Sequence, residues 1–104
     1  MDMEIKREDI EFHSSNFEKE FPQYVNDLKK YKIEYISCSI RTVLYEGADE
    51  YFTTTSVILG TNRKKCYFGS FQIRHSDSIY DDKEFAISVS IEEALDNARC
   101  NIRF

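Results

Sequence analysis

Three cysteines and two histidines are the side chains of this 104-residue sequence best suited to nucleophilic or metal chemistry. Zinc sites draw their ligands in close pairs such as CxxC or HxxxH. Cys38, Cys66, Cys100, His13 and His75 form no such pair, so no metal is expected on them. A cysteine nucleophile also needs a neighbouring base and solvent access. Cys38 falls on the core face of a predicted strand and Cys100 near the end of a predicted final helix, so both read as packing residues. Cys66, on the opposite sheet surface, is the one reactive candidate. Asp77, Asp81, Asp82 and Glu84 cluster, but without the alternating acids and central glycine of a calcium loop. Three scattered glycines cannot build a phosphate-cradling loop. The basic turn Asn62–Lys65 is a weak nucleic-acid footprint in a chain of net charge −5. No catalytic set and no cofactor is therefore expected, and the chain reads as a protein that is not an enzyme.

The bulk numbers bound the rest. A chain of 104 residues makes one domain, residues 1–104, with a single core. Hydrophobic residues make up 41% and charged residues 32%, a globular balance. Seven Tyr and eight Phe beside three Gly and one Pro favour strands and a well-filled core. An odd cysteine count with no close pair points to reduced thiols in a cytoplasmic setting. The charged first thirteen residues do not read as a signal peptide, and no apolar run reaches membrane-spanning length.

The stretch Ile33–His75 organises the chain. It reads as strands Ile33–Tyr45, Tyr51–Leu59 and Lys65–His75, joined by turns at Glu46–Glu50 and Gly60–Lys64. Before it, Met1–His13 is open between a mobile arm and a short edge strand over Asp9–His13. Ser15 with Glu18 fits a capping box. Phe17, Phe21, Tyr24, Val25 and Leu28 then recur at helical spacing, and Pro22 implies a kink or two helical pieces. After it, Phe85, Ile87 and Val89 alternate as a fourth strand. Ser90 with Glu93 suggests a second capping box, opening a short helix with Ile91, Ala94, Leu95 and Ala98 as its apolar stripe, with or without Ile102, which lies outside the residues the structure describes. The predicted fold is α+β, a four-stranded antiparallel meander with an N-terminal and a C-terminal helix.

A register with Leu44 opposite Phe52, Ile40 opposite Ser56 and Ile58 opposite Tyr67 gathers one apolar surface. It holds Ile36, Ile40, Leu44, Phe52, Ile58, Tyr67, Phe71 and Ile73. Gly69 marks a bulge or a close backbone approach. The opposite surface holds Tyr35, Arg41, Val43, Tyr45, Tyr51, Val57, Phe68 and Arg74, with Thr53, Thr55 and Ser70. It is covered by a helix or the N-terminal arm, or it is a partner or homodimer surface.

Charge divides by region. Residues 61–76 carry +4, while residues 35–60 carry −2 and residues 77–104 carry −4. Alternate connections of a meander lie at one end of the sheet. Glu46, Asp49, Glu50, Asp77, Asp81, Asp82 and Glu84 then share an acidic pole. Arg63, Lys64 and Lys65 oppose them, beside Lys29, Lys30 and Lys32. The acidic pole suits a larger protein with a basic, nucleic-acid-binding surface, whereas nucleic acid itself and membranes are not expected partners.

The order helix, three antiparallel strands, helix resembles the layout of double-stranded RNA-binding domains. Those domains place a basic cluster where this chain has Glu92 and Glu93, so no family is assigned. The compact acidic profile, rich in Lys, Ile, Tyr, Glu, Asn and Asp, is similar to that of phage anti-defence proteins such as anti-CRISPRs. That resemblance implies a phage or mobile-element inhibitor acting in the host cytoplasm on a nuclease's basic channel. The alternative expectation is a nucleotide- or ligand-sequestering module that uses the aromatic sheet face, with Arg41 and Arg74 neutralising phosphate.

Overall fold

The computed structural model describes residues 3–45, 47 and 50–101. Four antiparallel strands, β1 (Met3–His13), β2 (Ile33–Leu44), β3 (Tyr51–Thr61) and β4 (Cys66–His75), form one sheet in sequence order. Two short helices, α1 (Phe17–Glu20) and α2 (Val25–Lys30), connect β1 to β2, and a long helix, α3 (Lys83–Arg99), follows β4. The α+β meander with N- and C-terminal helices is thus the architecture. The identity of one strand differs from expectation. The fourth strand is the N-terminal segment, not Phe85–Val89.

The residues around Phe85–Val89 belong to α3. Its buried positions are Ala86, Ile87, Ser90, Ile91, Ala94, Leu95 and Ala98, a helical stripe that begins about one turn before the expected helix start. Three alternating residues cannot outweigh a stripe of that length. Asp82, rather than Ser90, caps the helix, its Oδ1 accepting from the Phe85 amide at 3.2 Å. Ser90 instead donates within the interior, to the carbonyls of Ala86 at 2.8 Å and Thr55 at 3.3 Å. The Ser15–Glu18 box does not form either, and α1 starts after Asn16 without a side-chain cap.

Pro22 divides the N-terminal helix into two pieces. It restricts the residue before it, and Phe21 leaves the helical region at φ −134°, ψ 57°, ending α1. The chain turns through Tyr24 and re-enters helix at Val25. Phe21 meets Phe12 of β1 edge to face at 4.8 Å. The Tyr24 hydroxyl lies 2.7 Å from Ser88 Oγ on α3. All three helices therefore lie on one face of the sheet.

The register between strands is one residue from the expected one. Leu44 pairs with Tyr51, Cys38 with Val57, Leu59 with Tyr67 and Thr53 with Ile73. Thr53, Thr55, Val57 and Leu59 consequently point under the helices and are almost fully buried, while Phe52 and Ile58 point to the other face. Volume is the reason. Small side chains on α3 (Ala86, Ser90, Ala94) bring the helix down onto Thr53, Thr55 and Gly69, where Phe52 and Ile58 would not fit. A Cβ on Gly69 would stand 2.0 Å from the Ser90 carbonyl oxygen, so the close approach expected there is present. Ile36, Cys38, Ile40, Leu59, Tyr67, Ile91 and Leu95 belong to one hydrophobic cluster, which Ile10 and Phe12 of β1 flank.

Candidate functional site: an acidic end and an open sheet face

Strand pairing fixes where the charged turns go. Met3, Leu44, Tyr51 and His75 stand in one row across the sheet. The β2–β3 turn, the connector 76–82 and the start of α3 therefore belong to the same end. Glu50, Asp77, Asp81, Asp82 and Glu84 collect there; Glu46 and Asp49 lie outside the described residues. Their roles differ. Glu50 pairs with Arg74 at 3.3 Å, and Asp82 is committed to the helix cap. Asp77, Asp81 and Glu84 are exposed and have no ion pair among the described residues. Ile33 pairs with Thr61 at the opposite end, which carries Lys32, Arg63, Lys64 and Lys65.

The acidic end also concentrates apolar surface. Among the described residues the exposed large apolar side chains are Met3, Ile5, Tyr45, Ile79 and Phe85, 37–56% exposed. Met3 and Ile5 open β1, Tyr45 follows β2, Ile79 sits in the connector and Phe85 in the first turn of α3. Each position is in the acidic half of the molecule. Ile79 and Phe85 alternate with acids in the run Asp77–Phe85, a pattern readable in the sequence once the connector is known to lead into a helix.

Beneath this end runs a chain of polar contacts. Thr42 Oγ1 lies 2.8 Å from Thr53 Oγ1, which lies 2.6 Å from His75 Nε2. The imidazole sits between Tyr51, stacked at 6.0 Å, and Tyr80 at 5.6 Å. Tyr51 thus belongs to the covered side, contrary to its expected place on the aromatic face, because the register turns it inward. Edge strand β1 is tied to α3 by Lys83 Nζ and Glu8 Oε2 at 2.7 Å. Their hydrogen bond holds the Glu8 carboxyl below, and the Lys83 ammonium above, the ordinary range.

No described element covers the other face of the sheet. Val57, Thr53 and Thr55, expected there, are beneath the helices instead. The face carries Tyr35, Arg41, Val43, Tyr45, Phe52, Ile58, Cys66, Phe68 and Arg74, with Ser37, Ser39, Thr54, Ser56 and Ser70 between them. Tyr35 lies across Gly60, where a Cβ would meet its ring at 2.0 Å, and its hydroxyl reaches Cys66 Sγ at 3.9 Å. That contact holds the phenol above its ordinary range. The charges here are already matched. Arg41 pairs with Glu4 at 2.9 Å, and Arg7 with Asp9 at 3.4 Å. Arg74, besides Glu50, lies over the Phe52 ring at 5.0 Å.

The cysteines separate cleanly. Cys38 is buried, and burial, reinforced by the Glu8 and Asp9 carboxylates, pushes its thiol up to about 11. Cys66 is half-buried on the open face. Cys100 is exposed at the end of α3, so it is not the packing residue expected. The described residues contain no cluster of three or more metal-ligating side chains, and no helix among them is long and apolar enough to cross a membrane. No family model, curated protein or solved structure matches the chain.

Proposed function

We propose that the protein is a small, non-catalytic binding protein whose acidic end docks on a basic surface of a larger protein. One observation carries this reading: carboxylates with no ion pair among the described residues (Asp77, Asp81, Glu84) and the exposed apolar side chains Met3, Ile5, Tyr45, Ile79 and Phe85 share one end. Charge steers association, but at physiological salt it acts only over about 8 Å, so a docking surface also needs contact area. The exposed apolar groups supply that area, and the ring of acids selects a cationic partner. A nucleic-acid-binding channel is a concave basic surface, and carboxylates spaced along a connector can stand in for phosphates there. The reading is thus an inhibitor of a nucleic-acid-binding protein, in line with the anti-defence profile of the sequence.

A nucleotide-sequestering role has less support, because it needs free guanidinium groups. Arg41 and Arg74 are both engaged by carboxylates, at 2.9 and 3.3 Å.

The test is a charge-reversal series in capture experiments from host extract. Asp77→Lys, Asp81→Lys and Glu84→Lys together should abolish capture of a nuclease or other nucleic-acid-binding protein and relieve its inhibition. Asp82 is left intact because it caps α3. Ile79→Asp should weaken capture at least tenfold while keeping the charge acidic. Undiminished capture by the triple variant would sink the proposal.

A further inference from the structure

Independently of the acidic end, we infer that the basic end is a site for single-stranded nucleic acid, in which Lys32 and the Arg63–Lys65 turn hold phosphates and Tyr31 offers its ring to a base.

Two contacts build the site from segments far apart in the chain. Ile33 pairs with Thr61, which sets Lys32 beside the β3–β4 turn. The Tyr31 ring meets that of Tyr67 edge to face at 6.4 Å, which brings the end of α2 over the start of β4, next to Lys65. Lys30, Lys32, Arg63, Lys64 and Lys65 thereby gather at one end, and none has an ion pair among the described residues. The neighbouring acids are engaged elsewhere, Glu18 by Lys29 at 3.3 Å and both Asp27 and Asp96 by Arg99. Glu34, exposed at the bulge of β2, stands against these five cations and does not cancel them.

At two of the positions lysine is held against its own backbone preference. Lys32 and Lys64 adopt φ 58° and 61°, the left-handed region that glycine and asparagine enter at lower cost. Lys32 lies just past the end of α2, where glycine is the usual residue, and Lys64 lies in the β3–β4 turn. Thr61 makes that turn firm. Its Oγ1 accepts from the amides of Arg63 and Lys65, both at 3.3 Å. The cations are thus presented on a fixed backbone.

Tyr31 selects a nucleic-acid strand over a bare polyanion. Its ring is half-buried, it stands between Lys30 and Lys32 in the chain, and the Lys30 ammonium lies over its face, 5.5 Å from the centroid. A ring face that draws a cation also stacks a base, and aromatic rings among cations are how single strands are held. In a duplex the bases are already stacked on one another. The net charge of −5 does not oppose the site. The eleven residues of β3 span about 33 Å at roughly 3.3 Å each, so the acids of the other end lie about four screening lengths away at physiological salt.

The test is fluorescence anisotropy of a labelled 20-nucleotide DNA single strand of mixed sequence, titrated with the full chain in 50 mM NaCl. The wild type should bind with Kd below about 100 μM. Its log K should fall against log salt with a slope of about −3, as about four neutralised phosphates give. Lys32→Gly with Lys64→Gly should weaken binding at least tenfold and roughly halve that slope. Its melting temperature should hold or rise, because glycine relaxes both backbone positions. An abasic strand of the same length, with the phosphates and no base to stack, should bind at least fivefold more weakly. No anisotropy change up to 500 μM protein, or full affinity in the double glycine variant, overturns the inference. So does an abasic strand that binds as well as the complete one, which would assign the end to phosphate alone, or tighter binding of the matching duplex. Free DNA is the probe and no protein partner takes part, so failure of the acidic-end proposal leaves these outcomes unaffected.

Discussion

Gly69 shows how one side chain sets the distance between helix and sheet. Its missing Cβ lets α3 sit so close that an added methyl would meet the Ser90 carbonyl at 2.0 Å and the Ala94 amide nitrogen at 2.6 Å. Both are backbone atoms and cannot step aside. Gly69→Ala should therefore cost about 1–3 kcal/mol, the range for overpacking, measured by urea unfolding. Cys38 makes a second prediction at this scale. Its thiol is raised to about 11 from an ordinary 9, so the folded state holds the proton more tightly than the unfolded one. Any stability linked to it is fully present below pH 9 and is lost as pH rises through about 11. Cys38→Ala should flatten that alkaline decline. At pH 8, iodoacetamide followed by mass spectrometry should label Cys100 fastest, Cys66 more slowly and Cys38 only on unfolding.

Among the elements, β4 is an edge strand that must be kept from pairing with other chains. Its central residues Tyr67–Ile73 carry no charge, the composition that invites edge-to-edge association. Two side chains of α3, one turn apart, cover its outward backbone. Asn97 Nδ2 donates to the Phe68 carbonyl at 2.7 Å, and Glu93 Oε2 accepts from the Ser70 amide at 3.4 Å. The helix thus protects the edge with polar arms while its apolar stripe fills the core. Glu93→Ala with Asn97→Ala should speed hydrogen exchange of the Ser70 amide at least tenfold and promote aggregation on heating, read by light scattering. Edge strand β1 is protected differently, by its own charges Lys6, Arg7, Glu8, Asp9 and Glu11.

At the scale of the whole molecule, pairing sorts the charges into two ends and the helices onto one face. Partner association through the acidic end should then depend on salt mainly in its on-rate. Raising NaCl from 50 to 500 mM should slow association tenfold or more and change dissociation less, as stopped-flow mixing with the captured partner would record. An equal effect on both rates would mean that charge acts in the bound contacts rather than in approach.

The sequence by itself determined the class of fold, the three central strands, the break at Pro22, the close approach at Gly69 and the two charged ends. These rest on local signals, namely period-two runs, a proline, a glycine and turn charges, that survive without knowledge of partners in space. Only the tertiary structure decided the rest. The alternation Phe85–Val89 is helical because Asp82 can cap it and because a stripe from Ala86 to Ala98 fits the sheet. Met1–His13 contributes a full strand, from Met3, because β2 had an unpaired edge to offer. The register slipped by one because small side chains under α3 exclude Phe52 and Ile58 from the core. That slip moved Tyr51 off the aromatic face and put Phe52 and Ile58 onto it. The grouping of Met3, Ile5, Tyr45, Ile79 and Phe85 with the acids arises from segments far apart in the chain, so no local reading could assemble it.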